Sequence, residues 1–126
     1  MKIDISIGEL VDKLTILSIK LEKISDAAKL QNCKNEYDIL LKPMEECGIK
    51  TDSDEFTKLK SVNLELWEIE DEIRIKESKQ EFDGEFIELA RSVYFKNDDR
   101  ADAKREINIK YKSDLVEEKE YVNYKK

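Results

Sequence analysis

Carboxylates are the side chains through which this chain could do chemistry. It contains no His, and Cys33 and Cys47 stand apart with no C-x-x-C spacing. The usual nucleophile and base pairs are therefore missing, and a soft zinc site lacks ligands. Gly8, Gly48 and Gly84 are isolated, so there is no Gly-rich phosphate loop. Glu65 and Glu68 lie three residues apart and project from one face of a helix, and Glu85 and Glu88 repeat the spacing. Two such pairs facing each other could hold one or two Mg²⁺ ions through oxygen ligands and polarise a phosphoanhydride. Against this stands a plain charged helix face, because a chain with 18 Glu produces E-x-x-E pairs by chance.

A second constellation is basic. Arg100, Lys104 and Asn108 step by four and share one helical face. From Arg100 to Lys112 there are five basic and two acidic residues in a chain whose net charge is −7. The group could receive a phosphate, sugar phosphate or carboxylate, with the Arg100 guanidinium as a bidentate fork. Alternatively these cations pair with the acidic helices around them. Lys13 and Lys20 flank an apolar seam that their stems can cover while the ammonium groups stay in water.

The elements that must carry these groups read as helices. Ser6 and Glu9 form an S-x-x-E capping box, with Ile5 and Leu10 as its hydrophobic staple. Ile7, Leu10, Leu14, Leu17, Leu21 and Ile24 then follow heptad spacing, and Val11, Ile16 and Ile19 widen the stripe into a buried scaffold helix. Ser25 and Asp26 can cap a second helix, but nothing forces a break, so residues 6–47 read equally as one helix or two. Pro43 should kink or restart the helix near Leu41 and Lys42, and Gly48 should end it. A third helix spans about 54 to 79 on the seam Leu59, Val62, Leu66, Ile69 and Ile73. A fourth opens behind Asp83. Asn97 to Asp99 reads as a turn leading into a helix from Arg100 to Lys112, and Ser113 as the cap of a last short helix.

Composition sets the class. Ile, Leu, Val and Phe supply 35 residues, 28% of the chain, which is enough for a core despite 42% charged residues. Three Gly and one Pro are too few for an all-β fold. The fold class is all-α: one domain over 1–126, an antiparallel helical hairpin or bundle of four to six helices with coiled-coil-like seams. A small chain struggles to cover such seams alone, which suggests a homodimer along the first and third helices or another protein partner. The acidic balance disfavours bulk nucleic acid and anionic membrane. No apolar run reaches spanning length, and unpaired thiols indicate cytoplasm.

Two resemblances add to this. The Glu65-x-x-Glu68 and Glu85-x-x-Glu88 pairs resemble those of all-helical nucleotide pyrophosphohydrolases, though that family carries Asp at the last position. The resemblance would imply a Mg²⁺ enzyme. The segments Ile7 to Leu17, Leu66 to Asp71 and Phe86 to Arg91, together with Asn97-Asp98, Arg100, Lys104, Ile107-Asn108 and Glu118 to Tyr121, resemble a family of short all-helical proteins from bacteria and their phages. That family has no assigned activity. Three functions stay open: a cofactor-free interaction or accessory protein (in the host cytoplasm if phage-encoded), a Mg²⁺-dependent hydrolase, and a small-anion binder.

Overall fold

The apolar stripes of four helices converge at one end of the molecule. The computed structural model describes residues 1–124: α1 (Ile7–Lys23), α2 (Ala27–Glu46), α3 (Asp54–Ser78) and α4 (Gly84–Lys110), followed by a non-helical tail. The core joins Leu10, Val11 and Leu14 of α1 to Met44, Ile49, Phe56, Leu59, Ala103 and Ile107. α1 is central and packs against the other three helices, while α3 packs along α4. Within the chain, Leu10, Leu14 and Leu17 of the α1 seam are buried, while Ile7, Leu21 and Ile24 are half-buried.

Local signals explain most boundaries. Ser6 accepts the Glu9 amide at 3.1 Å. Ile24 leaves the helix with an extended backbone, and Asp26 caps α2 through the Lys29 amide at 2.9 Å, so residues 6–47 contain two helices. Ser53 and Asp83 cap α3 and α4 in the same way. Gly48 adopts the left-handed conformation, φ 87°, and turns Ile49 back into the core.

Two expectations need correction, and the one at Pro43 is narrowed. α2 runs through Pro43 without restarting. The lost amide would have served Ile39, which is 71% exposed, so water can take that carbonyl. α4 also continues through Asn97, Asp98 and Asp99, where no Gly or Pro breaks it. Ser113 opens no helix. Its hydroxyl instead accepts the Ile7 amide at 3.0 Å, capping α1 from the far end of the chain.

That placement depends on a Schellman closure of α4, in which Ser113 N–H donates to Asn108 O at 2.8 Å and Lys112 N–H to Ile109 O at 3.3 Å. Lys112 takes φ 54° there. A non-glycine residue is strained in this region. Lys112→Gly should therefore stabilise the protein by about 0.5–1 kcal/mol, after the entropy cost of glycine. Thermal melting would show a rise of a few degrees, and a fall would contradict the left-handed cap.

Candidate functional site

The first turn of α1 and the last turns of α4 approach closely enough to share polar groups. The helix leaves its first four N–H groups without internal partners, and all four find one here. Ile7 donates to Ser113, Gly8 to Asn108 Oδ1 at 2.7 Å, Glu9 to Ser6 Oγ, and Leu10 to Ser6 O at 3.1 Å. The approach requires glycine. A Cβ on Gly8 would press into the Lys104 carbonyl and lie 2.9 Å from Asn108 Oδ1.

One turn further along, Asp12 is fully buried. Arg100 grips it with both arms of its guanidinium, Nε to Oδ1 at 2.9 Å and Nη2 to Oδ2. Asn63 of α3 donates to Asp12 Oδ1 and to Thr15 Oγ1, each at 2.9 Å, and Thr15 donates to the Asp12 carbonyl at 2.7 Å. Lys104, 8% exposed, donates to Glu9 at 2.7 Å and to Glu117 of the tail at 3.0 Å. Among the described residues no buried side-chain polar atom lacks a partner. This group of α1, α3, α4 and tail residues is a charge clamp.

Its electrostatics follow from the pairing. The hydrogen bonds to Asp12 hold the Arg100 pKa above its ordinary value. Burial opposes the charge on Lys104, but Glu9 and Glu117 outweigh it, and its pKa is raised. The Lys104 hydrogen bond holds Glu117 below the ordinary 4.5. A carboxylate depressed in this way contributes stability above its unfolded pKa and loses it as pH falls through the folded value. The tail contact at Glu117 should therefore persist at neutral pH and let go only below about 4.5. An NMR titration of residues 114–124 would show this, and release centred near neutrality would contradict it.

The structure thus brings Arg100, Lys104 and Asn108 onto one face, as their spacing implies, but spends them inside the chain. A recess of about 200 Å³ lies beside Lys104, Arg105 and Asn108. Its three cations already meet tail carboxylates, Lys104 and Lys119 on Glu117 at 3.0 and 3.9 Å and Arg105 on Glu118 at 2.8 Å. An anion would have to displace them.

The glutamate pairs are not brought together. Glu65 takes Lys96, Glu85 takes Lys76 at 3.1 Å, Glu88 takes Arg91 at 3.3 Å, and Glu68 is exposed. Among the described residues no three Asp, Glu or Cys side chains are placed to hold a metal ion together. No helix of the described residues is long and apolar enough to cross a membrane.

A different feature emerges from α3 and α4. Their antiparallel register is marked by Lys110 on Glu55, Lys58 on Glu106 at 3.1 Å and Lys96 on Glu65. α1 meets this hairpin only at its base, through residues such as Asn63, Arg100, Lys104 and Asn108. Beyond Leu66, α3 continues for twelve more residues, roughly 18 Å, before the chain turns back. From Trp67 to Asp102 no residue is buried. Yet 67–95 carries eleven large apolar residues. Ile75, Phe82, Ile87, Tyr94 and Phe95 are each at least 39% exposed.

The family model of a family of unknown function, DUF6165, matches residues 1–124. The chain belongs to that family. No curated protein and no solved structure matches it. Family membership accounts for the resemblance among the helical segments, and it assigns no chemistry to the clamp or to the projecting hairpin.

Sequence reasoning missed Asp12 and Asn63. The signal was present for Asp12. Gly8, Asp12, Thr15 and Ile19 follow one helical stripe, so a carboxylate sits in line with core positions. Asn63 gives no such signal alone, because only the crossing of α1 over α3 brings it to Asp12.

Proposed function

We propose that this chain is a non-enzymatic helical interaction protein, a single domain acting in the cytoplasm, whose docking surface is the projecting hairpin arm, residues 67–95. The observation that carries the reading is the run of eleven large apolar residues in an arm that buries none of them. Tyr124 of the tail packs on the rings of Tyr94 and Phe95 at the foot of the arm, but the seam above them has only the facing helix, and Ile69, Ile73, Phe86, Leu89 and Val93 are all only half-buried. A third element laid on the arm would complete them, which is how helix-in-groove recognition works. The clamp then has the supporting role of fixing the base from which the arm projects. Free Cys33 and Cys47 suit a reducing compartment, and the Lys-, Ile- and Asn-rich usage suits a bacterial or phage source.

The test compares the full chain with Ile75→Asp/Ile87→Asp and with Ile39→Asp, captured from its native cells. Ile39 lies on α2 and is 71% exposed, so it controls for a charge placed outside the arm. Partners recovered by the wild-type chain should persist with Ile39→Asp and vanish with the arm variant. Recovery that is unaffected by the arm variant would sink the reading.

A further inference from the structure

The surface of the arm specifies the chemistry of what docks there, an inference that rests on the docking reading above. One side of the arm holds a groove of about 180 Å³ between α3 and α4, with Ile75 and Leu89 as its apolar floor. Its rim carries Glu72, Glu81 and Glu85 against Lys76 and Lys79. Lys76 is already held by Glu81, Asp83 and Glu85 at 3.5, 2.9 and 3.1 Å. Up the same face of α3, Glu68, Asp71, Glu72 and Ile75 follow i, i+3, i+4, i+7 spacing, so the acids edge the apolar stripe. Among the described residues Glu68, Asp71 and Glu72 join no salt bridge. The whole arm, 67–95, has nine acidic and four basic residues, a net −5.

We infer that the groove receives a basic amphipathic helix of a partner protein, about three turns long, with its apolar stripe on Ile75 and Leu89 and its Lys or Arg side chains against Glu68, Asp71 and Glu72. The length follows from the roughly 18 Å of projecting α3. The charge argues against a second copy, since apposing two arms would bring two charges of −5 together, and like charges at an interface are disfavoured. A cation-rich helix relieves that field and gains electrostatic steering towards the site.

The test uses the full chain and three labelled fourteen-residue probes: an amphipathic Leu/Lys helix, a Leu/Glu helix of the same pattern, and a Leu/Lys scramble without an apolar face. Trp67, the single tryptophan, supplies an intrinsic signal at the base of the arm. The Leu/Lys helix should bind and weaken with added salt, and the other two probes should not bind. Glu68→Gln/Asp71→Asn/Glu72→Gln should cut affinity at least tenfold with unchanged melting, since these side chains are exposed and unbridged. Ile75→Asp should abolish binding.

Binding of the Leu/Glu helix or of the scramble, an undiminished triple variant, or no binding by any probe would overturn the basic-helix assignment. Self-association that Ile75→Asp removes and the Leu/Lys helix competes away would also overturn it and give the groove to a second copy. In these cases the docking reading still stands or falls separately, on whether the Ile75→Asp/Ile87→Asp variant loses its native partners.

Discussion

Arg100→Leu is expected to destabilise the protein by about 3 kcal/mol, because it leaves the carboxylate of Asp12 buried without its counter-ion. Asp12 is fully buried and Arg100 contributes two of its hydrogen bonds, while Asn63 alone would remain. Removing one partner of a buried pair costs about 3–5 kcal/mol. The low end applies here because the Arg100 side chain is 31% exposed, so water can enter the vacated space. For a chain of this length the loss corresponds to roughly 10–15 °C in melting temperature. Arg100→Lys should fall between, since an ammonium keeps the charge but loses the two-armed grip. The double variant Asp12→Leu/Arg100→Leu should recover much of the loss, as replacing both partners removes the orphaned charge. A double variant no better than Arg100→Leu would mean that the damage comes from lost packing and not from the uncompensated carboxylate.

Gly8→Ala is the second large effect, and its sign runs against helix propensity. In an ordinary helix interior this change gains about 1 kcal/mol. Here the added Cβ meets the Lys104 backbone carbonyl, which cannot rotate away, and crowds the Asn108 side chain that accepts the Gly8 amide. Relief requires α1 and α4 to separate, disturbing Asp12 and Arg100 one turn away. A cost of about 2–3 kcal/mol follows, within the range for overpacking. Gly84→Ala supplies the contrast, because nothing lies within 4 Å of the added carbon. It should be neutral or stabilising by up to about 1 kcal/mol. Equal melting curves for the two variants would contradict the close approach.

The helices were legible because their signals are local. Ser6 and Asp83 announce two starts, Gly48 announces a stop, and the seams of α1 and α3 follow from spacing alone. Errors arose where tertiary contacts overrode local preference. Ser113 has the chemistry of a cap and is one, but for a helix more than a hundred residues earlier. Asn97 to Asp99 have turn chemistry, yet α4 continues through them, where Tyr124 of the tail donates to Asp98 and Lys96 pairs with Asp99 at 3.8 Å. The basic face of Arg100, Lys104 and Asn108 was visible from its four-residue step. Its occupants, Asp12, Glu9 and the Gly8 amide, were not, because register between distant helices has no signature in a single sequence. The arm was hidden for a related reason. Its seam residues continue the spacing of the buried ones, and only the packing reveals that cover stops at Leu66.

Hydrogen exchange on the full chain, free and in the complex recovered through the wild-type arm, tests the docking role most directly. In the free chain, amides of 69–95 should exchange much faster than those of 56–66 and 100–108, since solvent reaches both faces of an arm with no buried residue. In the complex, added protection should be confined to 69–95. Protection that appears on α1 and α2 instead, or an arm already as protected as the core in the free chain, would contradict the assignment of this hairpin as the docking surface.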